Sequence, residues 1–196
     1  MTAIISQDET KPTQARGLVW TLDRYHHAIE AGVFTEDDRI ELLDGKIVEK
    51  MSVGTKHSAC LKILNKYFNR RYLDIYELMS ENPVSLGDKN EPEPDFTILH
   101  LREDNYIESH PSPKDILLII EVADESLSRD RTRKASLYAQ ANISEYWIIN
   151  LVNRQIEVHT KPSMENGVFG SVQHFNEKEQ FDSPFAGEVL VKDLLP

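Results

Sequence analysis

The chain has a single cysteine, Cys60, in 196 residues. An intrachain disulfide is therefore excluded, and so is a Cys/His zinc finger. No long hydrophobic run is present. The longest purely apolar stretch, Ile116 to Ile120, is far too short to span a bilayer, so no membrane association is expected. The first residues, MTAIISQDETKPTQARG, carry acids early and no sustained apolar region. They do not read as a secretory signal, and a cytoplasmic protein is expected. Positive charge is also in deficit: 22 Lys and Arg stand against 33 Asp and Glu, a formal charge of −11. This excludes a protein that coats nucleic acid or an anionic membrane by charge alone, but not an enzyme with a local basic patch. The sequence contains no Gly-rich phosphate loop, no Gly-x-Ser-x-Gly and no His-Glu-x-x-His, which removes several common catalytic schemes.

Hydrophobic residues make up 40% of the chain, enough for one core, and the length suits one domain. Residues 1–16 read as a loose tail and 17–196 as a single domain. Thr21 can cap a helix over 22–31 that stops at Gly32. Asp44-Gly45 lies between two apolar-rich runs and predicts a hairpin over 39–49. Cys60, Leu61, Leu64, Tyr67 and Phe68 fall at helical spacing within 55–71, with Cys60 expected as a small core residue. Leu73–Met79 and Pro83–Leu86 could be strands, and Asp95–Leu99 is a short buried one. Ile116–Val122 shows no alternation, as a strand covered on both faces should. A helix over 130–141, strands over 145–152 and 155–160, and further strands near 168–175 and 188–191 complete an α/β (α+β) pattern. It is a mixed sheet flanked by helices.

Glu121 follows five apolar residues on the expected central strand. A buried glutamate needs a cation or a donor; otherwise the strand ends there and Glu121 meets water. Asp95 opens the neighbouring buried strand after Pro94. Two acids at adjacent strand ends repel each other unless a divalent cation lies between them; the alternative is an ordinary Pro-Asp turn. Glu41, between Ile40 and Leu42, is a third candidate acid or a solvated hairpin residue. Lys134 comes 13 residues after Glu121, where a strand–loop–helix connection can return it over the strand end. There it could orient or deprotonate a water and neutralise charge at phosphorus, or it could be one more solvated lysine. Asp130, one helical turn earlier, can pair with it or with an arginine. His57 opens its helix and is either accessory to the site or structural. All-oxygen ligation favours Mg²⁺, with Mn²⁺ as a substitute.

Taken together these residues resemble the Uma-two family of putative endonucleases, within the restriction-endonuclease-like PD-(D/E)XK superfamily. The resemblance spans roughly residues 20–160. It rests on Glu41-Leu-Leu-Asp-Gly-Lys-Ile-Val and His57; on Pro94-Asp95; on Ile120-Glu121-Val122 followed by Ser126, Asp130, Lys134 and Tyr138; and on Glu145-Tyr-Trp-Ile-Ile149. It implies a restriction-endonuclease-like fold and Mg²⁺-dependent hydrolysis of DNA phosphodiester bonds. Asp95 and Glu121 would be metal ligands, Val122 would contribute its carbonyl, and Glu41 would be an accessory acid. Arg129, Arg131 and Arg133 are expected to hold flanking phosphates. A homodimer is expected on the ground that two sites cut two strands more easily than one. The chain departs from the superfamily pattern twice. Ala123 stands where Glu-x-Lys would place a lysine, so Lys134 would be a migrated one, and Asp124-Glu125 replaces a small Ser-Pro pair. A nuclease fold that no longer cuts, kept as a binding or assembly module, is the alternative; on that reading Tyr146-Trp147 could be an interface, though core is the stronger expectation for the pair.

Overall fold

The computed structural model of the protein describes residues 17–35, 37–50 and 53–196. The tail expected over 1–16 lies outside them. Helix α1 (Leu22–Glu30) starts where Thr21 accepts the Arg24 amide and ends before Gly32, whose φ of +70° suits glycine. Strands β1 (Ile40–Leu43) and β2 (Lys46–Glu49) form the expected hairpin. Asp44 and Gly45 both have positive φ, the combination a two-residue hairpin of native twist requires.

Helix α2 (Thr55–Tyr72) buries Cys60, Leu61, Leu64, Tyr67 and Phe68. The strand expected over 73–79 is reduced to β3 (Glu77–Ser80), because the chain first turns back on the end of α2 through Ile75 and Tyr76 amides bonded to Tyr72. Pro83–Leu86 is not a strand. Its amides are divided among Pro92, Pro111 and Asn90, so no ladder forms. Then follow β4 (Phe96–Leu99) and β5 (Ile116–Ala123), the latter buried along its whole length. The expected helix over 130–141 is in fact a longer run with a π-helical turn in it: α3 (Leu127–Arg129), the π turn Asp130–Lys134, and α4 (Ala135–Gln140). Strands β6 (Glu145–Asn150), β7 (Gln155–Ser163) and β8 (Val168–Asn176), with the pair β9 (Gln180–Ser183) and β10 (Gly187–Leu190), complete the chain.

The main sheet has six strands in the order β3-β4-β5-β6-β7-β8. Only β5 and β6 are parallel among these pairs, and their crossover is the α3–α4 run, as a parallel connection requires. Side chains on β5 alternate between two cores. Leu118, Ile120 and Val122 pack with α2, Trp147 and Phe181. Ile119 and Ala123 pack with Leu137, Tyr138 and Tyr146 of the crossover side. Trp147 and Tyr146 have no exposed surface, so that pair is core and not an interface. No helix among the described residues is long and apolar enough to cross a membrane.

His159 on β7 packs against the rings of Tyr146 and Phe169, which also stack on each other. Burial lowers its pKa to about 4, against the attraction of Glu157. The neutral ring is thus favoured in the folded state, while the unfolded chain takes up a proton near pH 6.5. Stability should therefore fall as pH drops from 6.5 towards 4, by about 3 kcal/mol from this group. Urea unfolding of wild type and His159→Leu at pH 7 and pH 4.5 checks this. The variant should lose less stability between the two pH values, and parallel losses would contradict the assignment.

Candidate active site

Two elements bring the acids together. β4 begins one residue after Asp95, so the main chain of β5 beyond Ile120 has no strand partner on that side. Asp95 fills the gap: its Oδ2 accepts the Val122 amide at 2.7 Å. The N–H and C=O of one strand residue point the same way, so the Val122 carbonyl faces the same opening. Oδ2 also meets His57 Nε2, from the first turn of α2, at 3.0 Å. Burial alone would raise the Asp95 pKa, but the His57 hydrogen bond and charge, with help from Lys134, hold it below the usual range. Burial lowers the His57 pKa and Asp95 more than offsets this, leaving it raised.

Glu121 points to the crossover side and is 3% exposed. It therefore does not end the strand in water. Its Oε1 accepts Lys134 Nζ at 2.8 Å and the Tyr138 hydroxyl at 2.6 Å. Lys134 and Tyr138 are four residues apart on one helical face. Tyr138 had no role in the residue-by-residue reading, although that spacing points to it. The π turn ends at Lys134 and holds Asp130 and Lys134 both buried; such turns are frequent at functional sites. Burial pushes the Glu121 carboxyl well up, with Asp95 and Asp130 adding to the effect and Lys134 opposing it. Burial disfavours the Lys134 ammonium, but Glu121, Glu41, Asp130 and Asp95 together raise its pKa. Lys134 is a held cation.

Glu41 is completely buried on β1. An antiparallel bridge between Leu42 and Glu91 brings the Glu-Pro-Glu-Pro segment beside that strand. Glu41 Oε2 accepts the Glu93 amide at 3.2 Å and lies 3.5 Å from Lys134 Nζ. Its other oxygen is buried without a partner among the described residues. Glu41 does not line the cleft that the other acids share; it supports Lys134 from behind.

That cleft, of about 250 Å³, is lined by His57, Asp95, Glu121, Val122, Asp130 and Lys134 within the site, and by Asp124, Glu125, Arg39, Lys50 and Arg129 around it. Asp130 takes the Ser126 hydroxyl at 2.5 Å, and burial raises its pKa. The three arginines separate. Arg129 lines the cleft, with a buried Nε that has no partner among the described residues. Arg131 makes a two-pronged pair with Glu157, at 2.8 and 2.7 Å. Arg133 donates to the Leu43 carbonyl and to Asp44. Arg39 and Lys50 were not singled out from the sequence, since nothing local links the hairpin's outer residues to β5.

A metal can be tested against this donor set. Asp95 and Glu121 each have one oxygen fully engaged, and no protein donor bonds Asp95 Oδ1 or Glu121 Oε2 among the described residues. With the Val122 carbonyl they form a hard, all-oxygen set. No group of three or more His, Cys, Asp or Glu side chains among the described residues forms a ready cage. Two carboxylates and one carbonyl would leave the remaining positions of a hard cation to water.

A family model described as "Uma2: Putative restriction endonuclease" matches residues 22–188. The chain belongs to this family. The Uma2 match takes in every residue placed in the cleft. Among solved structures, a nuclease described as putative and belonging to DUF820, from Anabaena variabilis ATCC 29413, superimposes with a TM-score of 0.66 at 19% identity. The match covers 89% of this chain and 96% of that one, and the two share the fold. The type IIG restriction endonuclease BpuSI aligns over 53% of this chain and 11% of its own, with 25% identity and a TM-score of 0.34, too low to carry an argument. No curated protein matches the chain.

Proposed function

We propose that the protein is a Mg²⁺-dependent endonuclease, with Mn²⁺ as a substitute, that hydrolyses DNA phosphodiester bonds in the cleft between α2 and α3. The observation that carries this is the juxtaposition of Asp95, Glu121 and a buried Lys134 at the open edge of β5. Asp95 Oδ1, Glu121 Oε2 and the Val122 carbonyl would hold the ion. When bound, it would supply Lewis-acid polarisation of the phosphate and a more acidic water.

The remaining work falls to the chain. The Lys134 pKa is raised, so it is an ammonium. It neutralises charge growing on the phosphate oxygens and does not act as the base. Glu41 and Tyr138 fix the two ends of the Lys134–Glu121 pair, so the charge is placed before substrate arrives. In this reading Lys134 does from the helix what a lysine at position 123 would do from the strand. Ala123 has no exposed surface, and a lysine there would displace core. His57 orients Asp95, and Arg129 meets a flanking phosphate.

Incubation of the protein with supercoiled plasmid and Mg²⁺ or Mn²⁺ tests the activity. Nicked and linear products should form and should vanish on adding EDTA. Intact plasmid under every metal condition would contradict it. The alternative, a catalytically silent nuclease-fold module, is favoured by Asp124 and Glu125 at the mouth of the cleft, where they repel a phosphate backbone.

A further inference from the structure

Helix α2 carries five cations (Lys56, Lys62, Lys66, Arg70 and Arg71) and no acid in its 18 residues. In a chain with 22 basic and 33 acidic residues, five charged positions of that one sign arise by chance about once in a hundred draws. Helix stability does not account for the pattern. Arg70 and Arg71 at the C-terminal end suit the helix dipole, but Lys56 in the first turn opposes it and no first-turn acid compensates. Lys56, Lys62, Lys66 and Arg70 are all exposed. None of them forms an ion pair among the described residues. Lys62, Lys66 and Arg70 recur every four residues, which sets them in one ridge within about 80° of arc. The ridge lies opposite the buried stripe of Cys60, Leu64, Tyr67 and Phe68.

The helix begins at the site. Gly54 and His57 line the cleft, and the ridge starts at Lys62, five positions after His57 and about 140° round the helix from it. The other basic cluster of the sequence cannot supply this surface, because Arg131 is committed to Glu157 and Arg133 to the β1–β2 turn.

We propose that the solvent face of α2 is the track that holds the DNA backbone beside the cleft, through Lys62, Lys66 and Arg70. This rests on the nuclease reading above. It also reconciles an acidic protein with a polyanionic substrate: attraction is local to one helix, and the remaining surface repels.

The test is fluorescence anisotropy of a labelled 30-base-pair duplex without divalent metal, across a salt series. It compares wild type, the triple variant Lys62→Ala/Lys66→Ala/Arg70→Ala, and a control with the same charge loss elsewhere, Lys89→Ala/Lys178→Ala/Lys192→Ala. The exposed positions leave the core untouched, and circular dichroism melts check this. The α2 variant should bind on the order of tenfold more weakly or worse, and its slope of log K against log salt should be shallower by roughly 2 to 3. The control should stay close to wild type. Equal binding by the α2 variant and wild type, equal weakening in both triples, or no duplex binding by wild type would each overturn the proposal. Hydrolysis of bis(p-nitrophenyl) phosphate with Mn²⁺ is measured in parallel. That small diester cannot reach the ridge, so the α2 variant should hydrolyse it at the wild-type rate. No hydrolysis by wild type would overturn the nuclease reading itself, separately from the DNA-binding result.

Discussion

Asp95→Asn should reduce plasmid cleavage by about 10³-fold, the loss of roughly 4 kcal/mol of transition-state stabilisation, while leaving the fold intact. The two parts follow from different atoms. Oδ2 is structural: it accepts the Val122 amide and meets His57, and an asparagine oxygen can still accept that amide. What the substitution removes is negative charge, the property a divalent cation needs. Single-turnover cleavage with Mn²⁺, together with a thermal melt, measures both. A variant that unfolds, or one that cuts at the wild-type rate, would remove Asp95 from the role given to it. Glu121→Gln should lose cleavage in the same way. It is the less clean test, because it also unbalances a buried ion pair.

Lys134→Ala should be the most damaging substitution for stability. Removing one partner of a buried charge pair typically costs about 3–5 kcal/mol, and here two carboxylates, Glu121 and Glu41, lose the same cation. The loss should depend on pH, with a definite sign. Burial already raises the Glu121 pKa to about 8, and without the ammonium it would be raised further above its unfolded value. A folded state with raised carboxyl pKa holds protons that the unfolded state has released, so its stability falls as pH rises through that interval. Wild-type Glu121 keeps its proton up to about pH 8, so the extra loss in the variant should open above that pH and be greater near pH 9.5 than near pH 6.5. Urea midpoints for wild type and variant at the two pH values decide this. A difference that does not change with pH would mean that Lys134 does not hold down the Glu121 pKa.

Much of this arrangement was legible from residue pattern. An unbroken apolar run ending in Glu121 located the central strand, Asp44-Gly45 located the hairpin, and helical spacing located α2 and its core stripe. Asp95 and Glu121 could be paired because adjacent buried strands must place their ends together. Long-range packing was not legible. Glu41 reads as a hairpin residue on either face until the Glu91 bridge shows that β1 is covered, and only then does its place behind Lys134 follow. The three arginines look equivalent in sequence, yet Arg131, two positions from each of the others, points across the helix to β7, while Arg129 reaches the cleft and Arg133 the hairpin. The π turn was hidden because residues 130–134 have ordinary helical composition, and the extra residue it inserts shows only in the backbone. Pro83–Leu86 looked like a strand by composition, but its amides go to three different loop carbonyls.

The central claim is that the Asp95–Glu121 edge of β5 holds a divalent cation. Isothermal titration of Mn²⁺ into wild type and Asp95→Ala tests it without reference to any substrate. The account predicts saturable binding at one site in wild type, lost in the variant. Binding of equal strength in both would place the ion elsewhere, and no binding in wild type at concentrations that support nuclease assays would contradict the account and leave the non-catalytic module in its place.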